Sequence, residues 1–222
     1  MPRMLDWHTF TWLGDSGLLL PAAAFVLVWL ASSRRTWYSA VLWTLCFGAC
    51  GAVVALSKLA FMGWGLGDVA FDFTGFSGHT ALSSCFWPVA LWLLASRGGH
   101  RLRVAAACAG WLLGAAIGVS RLAIDAHSVS EVVAGFLLGA AASGLFLVLQ
   151  HTRPHPQLPA WWVAASLAVP MVLLPPGQRA PTHGLLERVA AGMAGLERPY
   201  TRVDLHAGTH PMPRARAGKS IF

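Results

Sequence analysis

The stretch VAAACAGWLLGAAIGVSRLAIDAHSVSEVVAGFLLGAAASGLFLVLQ, residues 104–150, determines the fold class of this chain. It contains two apolar runs, Val104–Ser120 and Val132–Gln150, separated by a short polar connection. A helix needs about 20 apolar residues to cross roughly 30 Å of hydrocarbon, and runs of this length suffice with some tilt. A connection this short forces the two helices to be antiparallel neighbours. The stretch therefore predicts a helical hairpin that spans a membrane.

The rest of the chain repeats this pattern. Only 11% of the residues are charged, whereas a soluble domain carries about 25%. Further apolar runs cover Ser16–Ala31, Tyr38–Met62 and His79–Ser96, and a weaker sixth run covers Ala160–Leu174. We therefore expect an all-α integral membrane protein, a bundle of about six transmembrane helices formed by residues 1–174. The segment before the first run has few positive charges, so we expect that run to be a retained span and not a secretory signal.

Glycines recur at every fourth position in the quoted stretch. Gly110, Gly114 and Gly118 lie in the first run, and Gly135 and Gly139 lie in the second. Small residues at this spacing allow helix backbones to approach closely in a membrane, where lipid offers no hydrophobic drive for association. The spacing predicts tight helix packing and carries no information about chemistry.

Polar residues at the ends of the predicted spans indicate the sidedness of the protein. If the helices alternate in direction, Lys58, Ser77–His79, Arg121 and His127–Glu131 all lie at one end of the bundle. The opposite end carries basic loops with Arg34, Arg35, Arg97, Arg101, Arg103 and Arg153. By the positive-inside rule the basic end is cytoplasmic. The other end would then face the periplasm from a bacterial inner membrane.

The net charge of +7 does not indicate a nucleic-acid partner. The basic residues sit in short loops and in a polar tail, residues 175–222, and form no basic stripe interleaved with aromatics. Membrane orientation accounts for them better. In the tail, an amphipathic helix over residues 184–197 would lie in the membrane interface or pack on the bundle end. The side of the membrane on which the tail lies and the oligomeric state stay open.

The connection between the two runs of the quoted stretch carries the first group of candidate functional residues. Arg121 follows the first run, and His127 comes six residues later. Glu131 stands at i+4 from His127, on the same face of the predicted helix. A carboxylate one turn away can accept the Nδ1 proton of the imidazole and leave Nε2 free as a nucleophile.

The second group surrounds the glycine-rich stretch Gly63–Gly78. Ser77 can donate its hydroxyl, and Gly78 allows close backbone approach at a helix start, where unpaired amides favour an anion. His79 titrates near neutral pH and suits protonation of a leaving alkoxide. Lys58 supplies a positive charge near the end of the second span. Two histidines, a carboxylate, two cations and an amide-lined turn at one end predict phosphoryl transfer.

At these residues the sequence resembles the type 2 phosphatidic acid phosphatase family, which shares its site with vanadium haloperoxidases. The third motif of that family corresponds to Ser120-Arg121-LAIDA-His127-SVS-Glu131, with Glu in place of Asp, and the second corresponds to Phe76-Ser77-Gly78-His79. The resemblance implies that His127 is the nucleophile, Glu131 its orienting residue and His79 the general acid. It implies phosphate ligands at Lys58, Ser77, Gly78 and Arg121, and a lipid phosphate or diphosphate as the substrate, with no cofactor or metal.

The first motif of the family is incomplete here, and two other functions stay open. Lys58 is present, but Gly65 and Leu66 stand where the family has Arg-Pro. One alternative is a rhomboid-like intramembrane serine protease that uses Ser77 as nucleophile and His127 as base. The other is a catalytically degenerate lipid-binding or transport protein. We expect the nearby aspartates to cap loops and not to bind metal; they are Asp68, Asp72 and Asp125.

Overall fold

The computed structural model describes residues 7–151, 153–154, 157, 159–173 and 182–213. In these ranges the chain forms nine α-helices and no β-strand. They are α1 (Trp7–Thr11), α2 (Ser16–Ala31), α3 (Trp37–Trp64), α4 (Gly78–Leu94), α5 (His100–Ala123), α6 (Val129–Gln150), α7 (Ala160–Leu173), α8 (Thr182–Ala194) and α9 (Arg202–Ala207). A 3-10 turn, Trp12–Gly14, joins α1 to α2. The predicted all-helical fold is confirmed.

Within the described part of the chain, four helical segments are long and apolar enough to cross a membrane. They are Trp7–Ala31, Trp37–Trp64, His100–Ala123 and Val129–Gln150. Two further helices are shorter: α4 has 17 residues and α7 has 14. The protein is thus a membrane protein, and the expected total of about six spans stays a prediction.

The central helix of the bundle is α4, which lies between α5 and α6 and is buried along most of its length. The predicted glycine faces make this packing possible. A methyl group at Gly114 would lie 2.6 Å from Ser84 Oγ, and one at Gly135 would lie 2.8 Å from the Ser77 carbonyl oxygen. The close approaches join Gly110, Gly114 and Gly118 of α5 to Pro88, Ser84 and Thr80, and Gly135 and Gly139 of α6 to Ser77 and Ala81.

Residues that the alternation of the helices predicts to share an end of the bundle meet there. At the basic end, Arg153 stacks on Tyr38 with its guanidinium carbon 4.1 Å from the ring centroid, and Ser39 donates to Gln150 at 2.7 Å. At the other end, the end of α5 and the starts of α4 and α6 converge. We call this the site end, because it holds the candidate residues.

The described part of the tail packs on the site end. Thr182 pairs with Ser16 through their hydroxyl groups at 2.9 Å, and the amide of Tyr200 donates to the Met62 carbonyl at 2.8 Å. A Cβ at Gly63 would lie 3.4 Å from the Ala190 carbonyl oxygen, so α8 rests on the last turn of α3. Helix α7 packs against α2 and α4.

The tail helix begins two residues earlier and ends three residues earlier than predicted. It covers Thr182–Ala194 and not 184–197, because Gly195 adopts a left-handed conformation with φ of 66° and ends the helix. Of the two expected placements, α8 packs on the bundle end through Ala190. Part of its apolar stripe, Leu185, Val189 and Met193, remains exposed. The predicted boundary at residues 174–175 lies at the edge of a segment outside the described residues.

Candidate active site

His127 and Glu131 form a close pair at the start of α6. Nδ1 of His127 lies 2.7 Å from Oε2 of Glu131. The pair forms because Ser128 and Glu131 make a capping box: the Ser128 hydroxyl accepts from the Glu131 amide, and the Glu131 carboxylate accepts from the Ser128 amide at 3.1 Å. The helix start thus fixes the carboxylate, and the carboxylate fixes one ring nitrogen of His127. Nε2 of His127 is left facing away from Glu131.

The Glu131 side chain is fully buried and also receives donors from Thr74, in the loop before α4. Oε1 accepts from the amide of Thr74 at 2.7 Å and from the Thr74 hydroxyl. A buried carboxylate needs such donors, since leaving its lone pairs unsatisfied costs on the order of several kcal/mol. One carboxylate therefore contacts His127, the cap and Thr74 together.

The surroundings of His127 favour its neutral form. The His127 side chain is 13% exposed. Burial lowers the pKa of His127, the hydrogen bond to Glu131 acts in the opposite direction, and the charge of Lys58 lowers the pKa further. The net direction is downward from the ordinary value of about 6.5. At neutral pH the imidazole is therefore unprotonated and its Nε2 carries a lone pair.

Ser77 and Gly78 lie at the start of α4, beside Glu131. The Ser77 amide donates to the Glu131 carbonyl at 3.1 Å, which joins α4 to α6. The Ser77 hydroxyl is fully buried and pairs with Thr80 at 2.9 Å, so it makes no capping bond to the first turn of α4. At Gly78 a Cβ would meet only Val54 at 3.5 Å. Packing within the protein therefore does not require glycine at this position. A phosphate-binding role for both residues stays a prediction.

His79 has an acidic partner that was not predicted from the sequence. Its Nε2 lies 3.5 Å from Oδ2 of Asp15, the residue that caps α2 by accepting from the Gly17 amide at 2.7 Å. The N-terminal segment comes this close because Gly14 has no side chain, and a Cβ there would lie 3.2 Å from the Cβ of His79. The sequence signal was an aspartate directly before an apolar run that begins at the site end.

The two predicted cations, Arg121 and Lys58, lie at the same end of the bundle as His79 and His127. Arg121 donates from NH1 to the Thr11 hydroxyl at 3.1 Å, so α1 also contributes to the site. Lys58 lies beside the loop before α4, where a Cβ at Gly75 would be 3.4 Å from its side chain. Among the described residues no carboxylate lies within ion-pair distance of Lys58. Its charge is thus available to an anion.

A third cation enters the site from the tail. Arg202, at the start of α9, donates from NH2 to Oε2 of Glu131 at 2.7 Å and from NH1 to the Asp72 carbonyl oxygen at 3.0 Å, and it also contacts the Asp72 carboxylate. His206 binds the other oxygen of Asp72 at 2.7 Å. The sequence marked Arg202 only as one of several basic tail residues, with nothing to distinguish it.

The tail also covers Gly65, the position where this sequence lacks the arginine of the first family motif. Gly65 ends α3 in a left-handed conformation with φ of 69°, and a Cβ there would lie 2.9 Å from the Tyr200 ring. A larger residue at 65 would therefore displace Tyr200. Within the described residues no group of three or more His, Cys, Asp or Glu is placed to hold a metal ion.

Comparisons with known proteins place the chain in a family. Residues 64–155 match the family model of the PAP2 superfamily. The chain is 50% identical over 205 residues to a Klebsiella pneumoniae protein described as an "Uncharacterized 22.5 kDa protein in cps region", with 91% of this chain and 98% of that protein covered. No solved structure matches the chain. These matches show that the chain belongs to the PAP2 superfamily, the family of the type 2 phosphatidic acid phosphatases.

Proposed function

We propose that the protein is a membrane phosphatase that hydrolyses a lipid phosphate or diphosphate through a phosphohistidine at His127. The observation that carries the proposal is the 2.7 Å contact between His127 Nδ1 and Glu131 Oε2. It holds the proton on Nδ1 and directs the Nε2 lone pair away from the carboxylate, which is the state a nucleophilic imidazole requires. Membership of the superfamily supports phosphatase activity in general; the lipid substrate and the covalent step are our proposal.

In the first step, Nε2 of His127 attacks the phosphorus atom, and the bond between phosphorus and the lipid oxygen breaks. The imidazolium of His79 gives its proton to the leaving oxygen. Asp15, at 3.5 Å from His79 Nε2, supports the protonated form of this acid. Lys58 and Arg121 would hold the equatorial phosphoryl oxygens, whose charge spreads in the transition state.

In the second step, water attacks the phosphohistidine. His79, now neutral, takes a proton from the water, the P–N bond breaks, and the electron pair returns to Nε2 of His127. Inorganic phosphate leaves, and both histidines are in their starting state. Glu131 remains ionised throughout, because its hydrogen bonds come from groups that stay in place.

The placement of the site supports a lipid substrate in a bacterial inner membrane. The histidines lie at one end of a bundle of apolar helices, where a lipid headgroup would be found. The Klebsiella pneumoniae relative supports a bacterial setting. With the basic end in the cytoplasm, the site would face the periplasm, on a bundle of about six spans. Several lipids present a phosphate to a periplasmic site: undecaprenyl diphosphate, phosphatidic acid, phosphatidylglycerol phosphate and a lipid A phosphate. If an acceptor other than water took the phosphoryl group, the enzyme would be a phosphotransferase.

The test measures phosphate release by the purified protein in detergent, without added metal, from phosphatidic acid and from a prenyl diphosphate. We expect release that vanadate inhibits and that His127→Ala reduces by roughly 10³-fold or more, as for loss of other covalent nucleophiles. The matched control is His100→Ala, an exposed histidine at the basic end. Full activity of His127→Ala would refute the mechanism. Absence of release from the wild type on every lipid phosphate would favour a lipid-binding or transport protein.

The family assignment gives no support to the intramembrane protease. In that mechanism Ser77 would attack and His127 would take its proton. The Ser77 hydroxyl instead pairs with Thr80 inside the protein.

A further inference from the structure

We propose that Arg202 is a positioning residue of the active site, so that the C-terminal segment completes the His127–Glu131 pair. The proposal rests on the proposed function, and it names the residue that sets how strongly Glu131 holds His127. Arg202 itself lies outside the matched family region, residues 64–155.

Three donors meet at Oε2 of Glu131. They are Nδ1 of His127 at 2.7 Å, the amide of Ser128 at 3.1 Å and NH2 of Arg202 at 2.7 Å. The carboxylate is fully buried, so its charge is neutralised by these donors and not by water. Arg202 is the donor with a permanent positive charge. It therefore competes with the imidazolium form of His127 for the same oxygen.

The tail holds Arg202 in this position with an ion pair of its own. Arg198 binds Asp204 with both terminal guanidinium nitrogens, at 2.6 and 2.7 Å. Asp204 also forms a capping box with Thr201 at the start of α9. The Arg198 guanidinium holds the pKa of Asp204 well below its usual range, so this support stays ionised at any pH where the enzyme is assayed. Arg202 thus projects from a fixed helix start.

A second anchor ties Arg202 to the loop before α4. NH1 binds the carbonyl and the carboxylate of Asp72, and His206 binds the same carboxylate from the next turn of α9. Asp72 has a φ of 48°, an uncommon conformation for a residue with a side chain. Because two carboxylates and a carbonyl oxygen already engage the guanidinium, Arg202 is placed to position Glu131 and not to bind the phosphate itself.

The consequence is a defined effect on His127. Without Arg202 the Glu131 carboxylate would interact more strongly with the imidazolium, so the pKa of His127 would rise. A higher pKa would protonate the nucleophile at mildly acidic pH and remove its lone pair. The charged or titratable groups that act on His127 or on its partners are Lys58 from α3, His79 from α4, Arg121 from α5, Glu131 from α6, Arg202 from α9, Asp72 from the loop and Asp15 before α2.

The experiment measures the pKa of His127 directly. Full-length protein in detergent is treated with diethyl pyrocarbonate, which modifies neutral imidazole, and mass spectrometry follows the rate at His127 from pH 5 to 8. We expect Arg202→Ala to raise the apparent pKa of His127 by about one unit, since it removes a nearby charge. Arg202→Lys keeps a charge without the fork and should give a smaller rise. Arg188→Ala is the matched control, because among the described residues the hydrogen bond of Arg188 goes to the Gly184 carbonyl of its own helix.

Activity supplies the second readout. We expect Arg202→Ala to lower kcat roughly tenfold at pH 6, less at pH 8, with KM nearly unchanged, as for loss of other orienting partners. An unchanged His127 pKa in both Arg202 variants would overturn the proposal. A raised KM with normal kcat would also overturn it, because it would make Arg202 a phosphate ligand. If the wild type releases no phosphate, the proposed function fails, while the modification experiment still decides the role of Arg202.

Discussion

The active site joins two regions that differ in how their residues are brought together. The core, α4 to α6, carries Ser77–His79, Arg121 and His127–Glu131 on three helices packed through glycines. The terminal segments, residues 11–15 and 198–206, bring Thr11, Asp15 and Arg202 to the same place through contacts between residues far apart in the sequence, such as Arg121 with Thr11 and Arg202 with Glu131. The family match covers the core and neither terminal segment. The difference suggests that the core supplies the chemistry and the termini adjust it.

The first way to test this comparison is to break the packing of the core. Gly139→Ala would place a methyl group against the Ala81 carbonyl oxygen, a backbone atom of α4 that cannot move aside. We expect a loss of about 1–3 kcal/mol of stability or more, because such overpacking forces the helices apart. Thermal unfolding in detergent measures the effect. The loss of stability should exceed that of Asp15→Asn or Thr11→Val in the N-terminal segment.

Gly144→Ala is the matched control for this substitution. It lies on the same helix, and a Cβ there meets nothing within 4 Å. Alanine is the better helix former by roughly 1 kcal/mol, so the variant should be as stable as the wild type or more stable. Equal melting temperatures for the two alanine variants would show that close α4–α6 contact does not hold the core together.

The second test addresses the N-terminal segment through Asp15→Asn. Asparagine caps a helix as well as aspartate, so α2 should keep its start while His79 loses its negative partner. We expect kcat to fall roughly tenfold, as for loss of other residues that hold a catalytic side chain by a hydrogen bond or an ion pair. The loss should be larger for an alkyl phosphate than for p-nitrophenyl phosphate, because only the poor leaving group needs a proton from His79.

The dependence on the leaving group separates positioning from general damage. Glu197→Gln, a change at an exposed tail carboxylate, should leave both substrates unaffected. If Asp15→Asn slowed both substrates equally, Asp15 would hold the segment in place without supporting the acid. The N-terminal segment would then contribute to the structure of the site without adjusting its chemistry.

The sequence predicted the core well because its information is local. The His127–Glu131 contact follows from i+4 spacing, and the meeting of Arg121 with His127 follows from a short connection between antiparallel helices. The convergence with Ser77–His79 follows from alternation of the spans. The glycine faces follow from four-residue periodicity. The structure shows the His127–Glu131 contact, the hydrogen bond from the Ser77 amide to the Glu131 carbonyl and the close helix approaches at the glycines. The direct meeting of Arg121 with His127 stays a prediction.

The terminal contributions could not be predicted in the same way. Arg202 meets Glu131 and Asp72 only because α8 and α9 fold back on the site end, and no periodicity in the tail specifies that path. Asp15 had a local signal as a helix cap, but nothing in its neighbourhood named His79 as its partner. The loss of arginine at Gly65 marked a gap in the motif without indicating that Tyr200 would cover it.

The smallest expected effect concerns Thr11, the other contribution of the N-terminal segment. Thr11→Val removes the hydroxyl that accepts from Arg121 NH1 at 3.1 Å and keeps the shape of the side chain. A hydrogen bond to a charged group contributes about 1.5–3 kcal/mol at most, and loss of one among several anchors should cost less. Because Arg121 would hold the phosphate in both the ground state and the transition state, KM should rise about threefold while kcat stays constant. Thr44→Val is the control, since the Thr44 hydroxyl donates to the Ala40 carbonyl within α3. A fall in kcat without a change in KM would instead assign Arg121 to the transition state, and the N-terminal segment would then support the chemistry at both Thr11 and Asp15.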